Sequence, residues 1–479
     1  MIRTKKIPVR AAILLCALAS IDCAARKVTV TLDPDHARPS AIPDDFAGLS
    51  IEMHGVRDDF KEPRGHWLSS ENAPYIAMLK GLGIRSLRVG GNTTERTTPE
   101  HAYPDDEDGA RVSDFANAIQ AQLIWNVPVH DKYDPAFFSS YAARLTQYQQ
   151  QKGYTFRTIF QIGNEPDLFK VDPPTYQGRF DAYADALEAA VGPAVQYAGP
   201  SCASNRTYSA RLVESPRYEG PRHGRIAYVT HHSYPFGGAA SYANAAAAIE
   251  KLLGRNAGKY QAFYDSWASH ARAHGFAPRL EETNSIYQGG MKGASDSFAA
   301  ALWALDYLSF FAHDTELAGL NFHVANKASA YNPIEPVGLA SSYTLKGVGY
   351  GLLAYAQTGA GRPVPRTIAN PANVNLTAYA RLHDDATATL VLVNLSHGAA
   401  GTDVTVAVHP GRTYGRASVM YLRAPGNDAA ATTGITLGGQ SMNTSGAWNG
   451  TFTRTLRPSS RGRFAVSVPR TQAAIVRFF

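Results

Sequence analysis

The sequence predicts an α/β protein: a (β/α)8 TIM barrel with a second, smaller antiparallel β-sandwich built from an N-terminal segment and the C-terminal region. Three observations lead there. Between residues 46 and 359, eight short apolar runs alternate with longer segments whose apolar residues recur at helical spacing. Past that point the helical segments stop, and strand-like runs follow one another across Gly, Pro, Asn and Asp turns. Finally, 479 residues exceed one ordinary domain and suit a large barrel plus a smaller unit.

Residues 1–25 come first. Arg3, Lys5, Lys6 and Arg10 precede the short apolar run "AAILLCALA", and small residues follow. This is the pattern of a secretory signal, too short to span a bilayer. The mature chain is therefore expected outside the cytoplasm, secreted or periplasmic, and free of the membrane. Ser20, Ile21 and Asp22 before Cys23 fit a lipidation site poorly. Of three cysteines only Cys202 lies beyond this segment, so no disulfide is expected.

In residues 26–45, "KVTVTLDP" (27–34) alternates in the manner of the sandwich and is expected to add a strand to it. The barrel, residues 46–359, has candidate strands at 46–53, 84–91, 122–129, 157–165, 194–199, 225–234, 279–284 and 317–324. Helical patterns lie between them, among others at 72–83, 181–192 and 295–312. Residues 360–479 supply the sandwich, with runs such as "VNLTAYARL", "ATATLVLVNLS" and "QAAIVRFF".

The net charge of +6 and pI near 9.0 tilt the surface toward anionic partners. Because the basic residues are scattered, an acidic small molecule or polysaccharide fits better than nucleic acid. The chain contains no GxxxxGK[ST] phosphate loop and no HExxH zinc motif, so no cofactor or metal is expected. A monomer is expected.

The chemistry gathers at strand ends, where a barrel presents side chains to substrate. "IFQIGNEPDLF" (159–169) places Asn164 and Glu165 at the end of the fourth barrel strand. "RLEETNSIYQGG" (279–290) places Glu281 and Glu282 at the end of the seventh. Alternation along a strand sends those two to opposite faces, so only one is expected to enter the mouth. Two carboxylates facing each other across a barrel opening suit glycoside hydrolysis, one as acid and base and the other as nucleophile. In "THHSY", His232 and Tyr234 share a strand face, with Tyr234 placed to donate to Glu282, and His231 is expected to pack on the other face. Glu52 ends the first strand, and Asn92 follows paired glycines that would let the backbone approach a ligand. Both are candidate sugar contacts.

"IGNEPDLF" and "EETNSIYQGG", with "LRVGGNTTE" (87–95) and "VTHHSYP" (229–235), resemble glycoside hydrolase family 79, the β-glucuronidases and heparanases. The resemblance covers nearly the whole mature chain. It implies a retaining mechanism, with Glu165 as acid/base, Glu282 as nucleophile and Asn164 on the sugar 2-hydroxyl. It also implies that a uronate carboxylate is held by Tyr287, Gly289, Gly290 and Tyr331, with Lys327 adding positive charge. Glu281 and Gln288 depart from the family pattern, which has glycine there. The implied substrate is a glucuronic-acid-containing glycan or glycoconjugate. The acid-rich segment 95–112 is expected to wall off one end of the cleft, which favours exo action over endo action. A neutral-sugar hydrolase and a catalytically silent carbohydrate-binding protein are the alternatives.

Overall fold

The computed structural model describes residues 27–57, 66–96, 103–130 and 133–479. The signal read at residues 1–25 lies outside them. Strand β1 is Lys27–Leu32. The barrel is formed by β2 (Ala47–Glu52), β3 (Ser86–Gly90), β4 (Gln122–Val127), β5 (Ile159–Ile162), β6 (Gln196–Cys202), β7 (Ile226–Ser233), β8 (Pro278–Thr283) and β9 (Leu320–Val324). All neighbours pair in parallel, and β9 closes onto β2 through partners such as Leu49 and Phe322. Each strand falls within or beside a run expected from the sequence.

The helices cover these strands from outside. One of them, Pro173–Val191, starts eight residues before the apolar pattern at 181–192, because Asp172 caps it through the Thr175 N–H and Pro173 fills the first turn. Odd and even positions on the strands divide cleanly. Leu123, Trp125, Phe160 and Val229 join the core beneath the helices. Ile124, Ile159 and Ala198 form a separate apolar cluster with Tyr228, the floor of the barrel interior. Arg279 lies over the Tyr228 ring, donates to Asn321 and pairs with Asp45 at that floor.

Above the floor the interior turns polar. Ser50, Arg88, Gln161 and Thr230 are all fully buried there. One irregularity shapes the mouth. Between β7 and β8 the register runs His231 to Leu280 and then His232 to Glu282, so an extra residue is inserted at Glu281. A bulge of this kind leaves two successive side chains on one face. Glu281 therefore points inward like Glu282, one layer deeper, where it accepts from Ser201 of β6; Thr283 faces outward to Tyr307. Simple alternation, which had separated the two glutamates, fails here for that reason.

The sandwich consists of a seven-stranded and a four-stranded sheet. Strand β1 does join it, pairing antiparallel with Arg366–Ala369 and parallel with Val404–His409, so this one junction departs from the antiparallel expectation. Residues 404–409 alternate between buried and half-exposed, whereas Ala388–Asn394 is buried throughout. The second pattern arises because the larger sheet is covered twice. Leu390 and Leu392 face the sandwich core, while Val391 and Val393 pack with the barrel helices.

Candidate active site

The end of β5 is built to turn. Gly163 (φ +85°) and Glu165 (φ +44°) are both left-handed, a conformation glycine accepts freely and glutamate only under local constraint. The constraint is visible. The Glu165 N–H donates to the Ser201 carbonyl at 3.0 Å, and its own carbonyl accepts from Leu168 and Phe169. The side chain is thereby aimed across the mouth, where His232 Nδ1 lies 3.0 Å from its Oε1.

Glu282 faces it. Tyr234 donates to Oε1 at 2.8 Å, and Arg88 donates to Oε2 at 2.8 Å. His323 Nδ1 and His232 Nδ1 stand 3.7 Å and 3.9 Å from Oε2. Burial alone would raise the Glu282 pKa. The charges of His323, His232 and Arg88, with the Tyr234 hydroxyl, outweigh burial and hold the carboxyl well below the usual carboxylate range. In turn Glu282 and Glu52 raise the pKa of His323 against its own burial. Glu165, His232 and Glu282 bring ligating atoms within 4.8 Å of one another, a set that could by geometry hold a cation. Arg88 already supplies positive charge to Glu282, so the arrangement does not call for one.

Arg88 organises the mouth and was missed in the sequence. Its guanidinium donates to Gln161, Ser50, Glu282 and Asn164, and it is fully buried. A basic residue inside the apolar run "LRVGG" was the available signal. The paired glycines make room for this cluster. A Cβ at Gly90 would stand 2.7 Å from the Arg88 guanidinium carbon, and one at Gly91 would stand 2.5 Å from the Glu52 carboxylate. Glu95, also missed, accepts the N–H groups of Val129, His130 and Asn164, tying the ends of β4 and β5 together.

The remaining candidates separate into two groups. Asn164 accepts from Arg88 at Oδ1 and donates from Nδ2 to Asn92 at 3.2 Å, so both asparagines join the buried network. Glu52 spends Oε2 on the Thr93 N–H and hydroxyl and holds Oε1 3.6 Å from His323. It serves chiefly to order that network. Burial, its largest influence, raises the Glu52 pKa, but His323 and Thr93 bring it below the ordinary value. Tyr331 is buried, its ring 6.5 Å from Tyr234 and 6.2 Å from His323. Tyr287 is 43% exposed and meets Tyr234 edge-on at 6.4 Å.

Gln288, Gly289 and Gly290 all have positive φ, so Gln288 adopts the backbone conformation a glycine would. A Cβ at Gly290 would lie 2.7 Å from that of Ser295, a packing reason for glycine. Lys327 is exposed, its carbonyl accepting from Asn332. His231 packs outward, bonded to Ser209 and Arg206, as expected. The expected acidic wall takes another form. Asp105 and Asp108 build a capping box for the helix Asp106–Ile119, and Arg111 pairs with Asp108, so these acids are consumed in starting a helix. Residues 97–102 of that segment lie outside the described residues.

Residues 378–475 match the family model described as the glycosyl hydrolase family 79 C-terminal beta domain. The resemblance to family 79 noted in the sequence is supported over these residues by this match. A 4-O-α-L-rhamnosyl-β-D-glucuronidase from Fusarium oxysporum 12S is similar in structure, with a TM-score of 0.68 and 17% identity over 93% of this chain and 99% of that one. A GH51 arabinofuranosidase from Xanthomonas axonopodis pv. citri superposes with a TM-score of 0.70 at 14% identity, covering 95% of this chain and 100% of that one. A family 30 subfamily 8 xylanase from Clostridium acetobutylicum reaches 0.59 at 12% identity, over 94% and 99%. At these identities the likeness establishes the barrel-plus-sandwich fold. No curated protein matches the chain in sequence. The family 79 domain match supports glycoside hydrolase activity.

Proposed function

We propose that the protein is a retaining exo-β-glucuronidase that removes terminal β-D-glucuronic acid from glycans or glycoconjugates. The observation that carries this reading is the facing pair, Glu165 and Glu282, whose oxygens approach within 4.8 Å in a chain with a family 79 domain. Double displacement uses carboxyl groups about 5–5.5 Å apart, while an inverting site needs room for a water between them.

In the first step Glu165 protonates the glycosidic oxygen as Glu282 attacks the anomeric carbon. The C–O bond to the leaving group breaks, and an ester to Glu282 forms. Arg88 and Tyr234 keep the Glu282 carboxylate ionised and aimed for this attack. Esterification removes that charge from the mouth. Glu165, now ionised, takes a proton from water, whose oxygen displaces Glu282 from the sugar. His232, 3.0 Å from Glu165, fixes the orientation of the acid/base carboxyl through both steps.

Tyr287 and Tyr331, each beside the Tyr234 ring, are assigned to the uronate carboxylate. The similar Fusarium enzyme, a glucuronidase by name, supports the choice of sugar. A neutral pentose is the second reading, favoured by the similarity to arabinofuranosidases and a xylanase and by the engagement of Arg88 with Glu282 and Asn164. The two are separated by release of an aryl leaving group from β-glucuronide, β-galactoside, β-xyloside and α-L-arabinofuranoside. A kcat/KM preference for the glucuronide is expected, and preference for any of the others refutes the uronate assignment. Export through residues 1–25 belongs to the same proposal. An N-terminus near residue 26 in protein recovered outside the cytoplasm is the expected result.

A further inference from the structure

Glu281 is buried in the barrel interior and takes no part in the steps above, yet it is tied to both catalytic strands. It directly precedes Glu282 on the β8 bulge. Across β7 its Oε2 accepts from Ser201 Oγ at 2.8 Å. Ser201 is itself tightly held. Its N–H donates to Thr230 Oγ1 at 3.0 Å, and the two hydroxyls lie 2.9 Å apart. One donor direction satisfies the set: Ser201 N–H to Thr230, the Thr230 hydroxyl to Ser201 Oγ, and the Ser201 hydroxyl to Glu281. Ser201 also has left-handed backbone (φ +56°), which turns its carbonyl toward the Glu165 N–H, 3.0 Å away.

A continuous path therefore runs from Glu282 through the adjacent Glu281 and Ser201 to the backbone of Glu165. We propose that Glu281 is a positioning residue that, through Ser201, sets the gap between Glu165 and Glu282. The inference rests on the catalytic roles proposed for those two residues. Without the Ser201–Glu281 bond, nothing in this path ties the Ser201 turn to the bulged strand, and Glu165, already strained at φ +44°, loses the fixed carbonyl that aims it. Misplacement by about 1 Å costs on the order of 100-fold in rate.

The surroundings of Glu281 suit a positioning role. Burial pushes its carboxyl up, against the Ser201 hydrogen bond and the nearby charges of Arg88, His232 and Arg279. Among the described residues its Oε1 has no hydrogen-bond partner. A glutamine has the same shape and retains an acceptor for Ser201.

The test compares Glu281→Ala, Glu281→Gln, Ser201→Ala and the Ser201→Ala/Glu281→Ala double variant on whichever aryl glycoside the parent hydrolyses best. Glu165→Ala is run alongside. Displacing an acid hurts most where the leaving group needs its proton. With a phenol-class leaving group, Glu281→Ala and Ser201→Ala should each lose about 10- to 100-fold in kcat/KM, which reports the first step alone. With a dinitrophenyl leaving group, which needs no protonation, the loss should shrink below about threefold. Glu281→Gln should stay within about threefold of the parent, and the double variant should be no worse than the poorer single variant by more than about twofold.

A loss independent of the leaving group, losses that multiply in the double variant, or a glutamine variant as impaired as alanine overturns the proposal. Ser201→Ala decides alone if Glu281→Ala does not fold. If Glu165→Ala lacks the leaving-group signature, the acid/base assignment fails and the bridge falls with it. If Glu165→Ala shows the signature and Ser201→Ala does not, only the bridge is overturned.

Discussion

Two fully buried carboxylates, one at the barrel mouth and one at the seam with the sandwich, are driven in opposite directions. Glu282 at the mouth is held well below the ordinary carboxylate range, because His323, His232, Arg88 and Tyr234 outweigh the burial that would raise it. Asp306, on the helix Phe298–Asp314, accepts from Thr377 and Tyr379 of the sandwich, but burial dominates and pushes its pKa up to about 6. Both sites hide a charge from water; they differ in how much positive charge lies within reach. The mouth concentrates cations around one carboxylate and keeps a nucleophile ionised. The seam supplies hydroxyls, which leave burial to raise the pKa of its acid.

This contrast breaks most visibly at Glu282. Glu282→Ala should lower kcat on the preferred aryl glycoside on the order of 10⁴-fold, and activity within tenfold of the parent removes its assignment as nucleophile. Arg88→Met is next. It takes away a direct donor and a nearby positive charge, so the Glu282 pKa rises toward the value burial alone would set. Glu282 then protonates at higher pH, and the acid limb of kcat/KM should move upward by about one pH unit or more, with a loss of roughly 100-fold near neutrality. An unchanged acid limb would show that the two histidines suffice.

The smallest effect belongs to the seam and is read in stability. An aspartate in the unfolded chain titrates near 3.9, and Asp306 in the fold near 6. Below both values each state is protonated and nothing is lost. As pH rises between them the unfolded chain ionises first, so stability falls, and above the folded value the cost is complete at up to roughly 3 kcal/mol. Asp306→Asn keeps an acceptor for Thr377 and Tyr379. It should therefore stabilise the protein at pH 8 and give no gain at pH 3.5, with kcat unchanged. Urea unfolding at the two pH values measures the difference, and an equal shift at both shows that charge is not the cause.

Most of the fold was legible because its signals are local. Each barrel strand lies in a short apolar run, and the switch to direct strand succession past residue 359 marks the sandwich. Glu165 and Glu282 were visible for the same reason, as acids at strand ends. Arg88 and His323 were not, since each sits singly in a strand and acquires meaning only when β9 closes between β8 and β2 and Arg88 reaches from β3 across the interior to Glu282. The glycine pair after β3 was legible as a close approach but not as to what approached, because the Arg88 and Glu52 side chains reach it only in the folded barrel. Segment 95–112 misled for a related reason: acids that cap a helix look, in sequence, like acids that line a cleft.

The sequence by itself determined the order of strands and helices, the two-part architecture and the residue types at the mouth, since periodicity and turn chemistry act over a few neighbours along the chain. Tertiary structure decided which of those residues meet. It placed Glu281 on the same face as Glu282 through a bulge that only the β7–β8 register reveals, and it turned Ser201 toward Glu165. It also decided the charge states, because a pKa depends on burial and on cations brought from distant strands, and neither distance is written in the sequence.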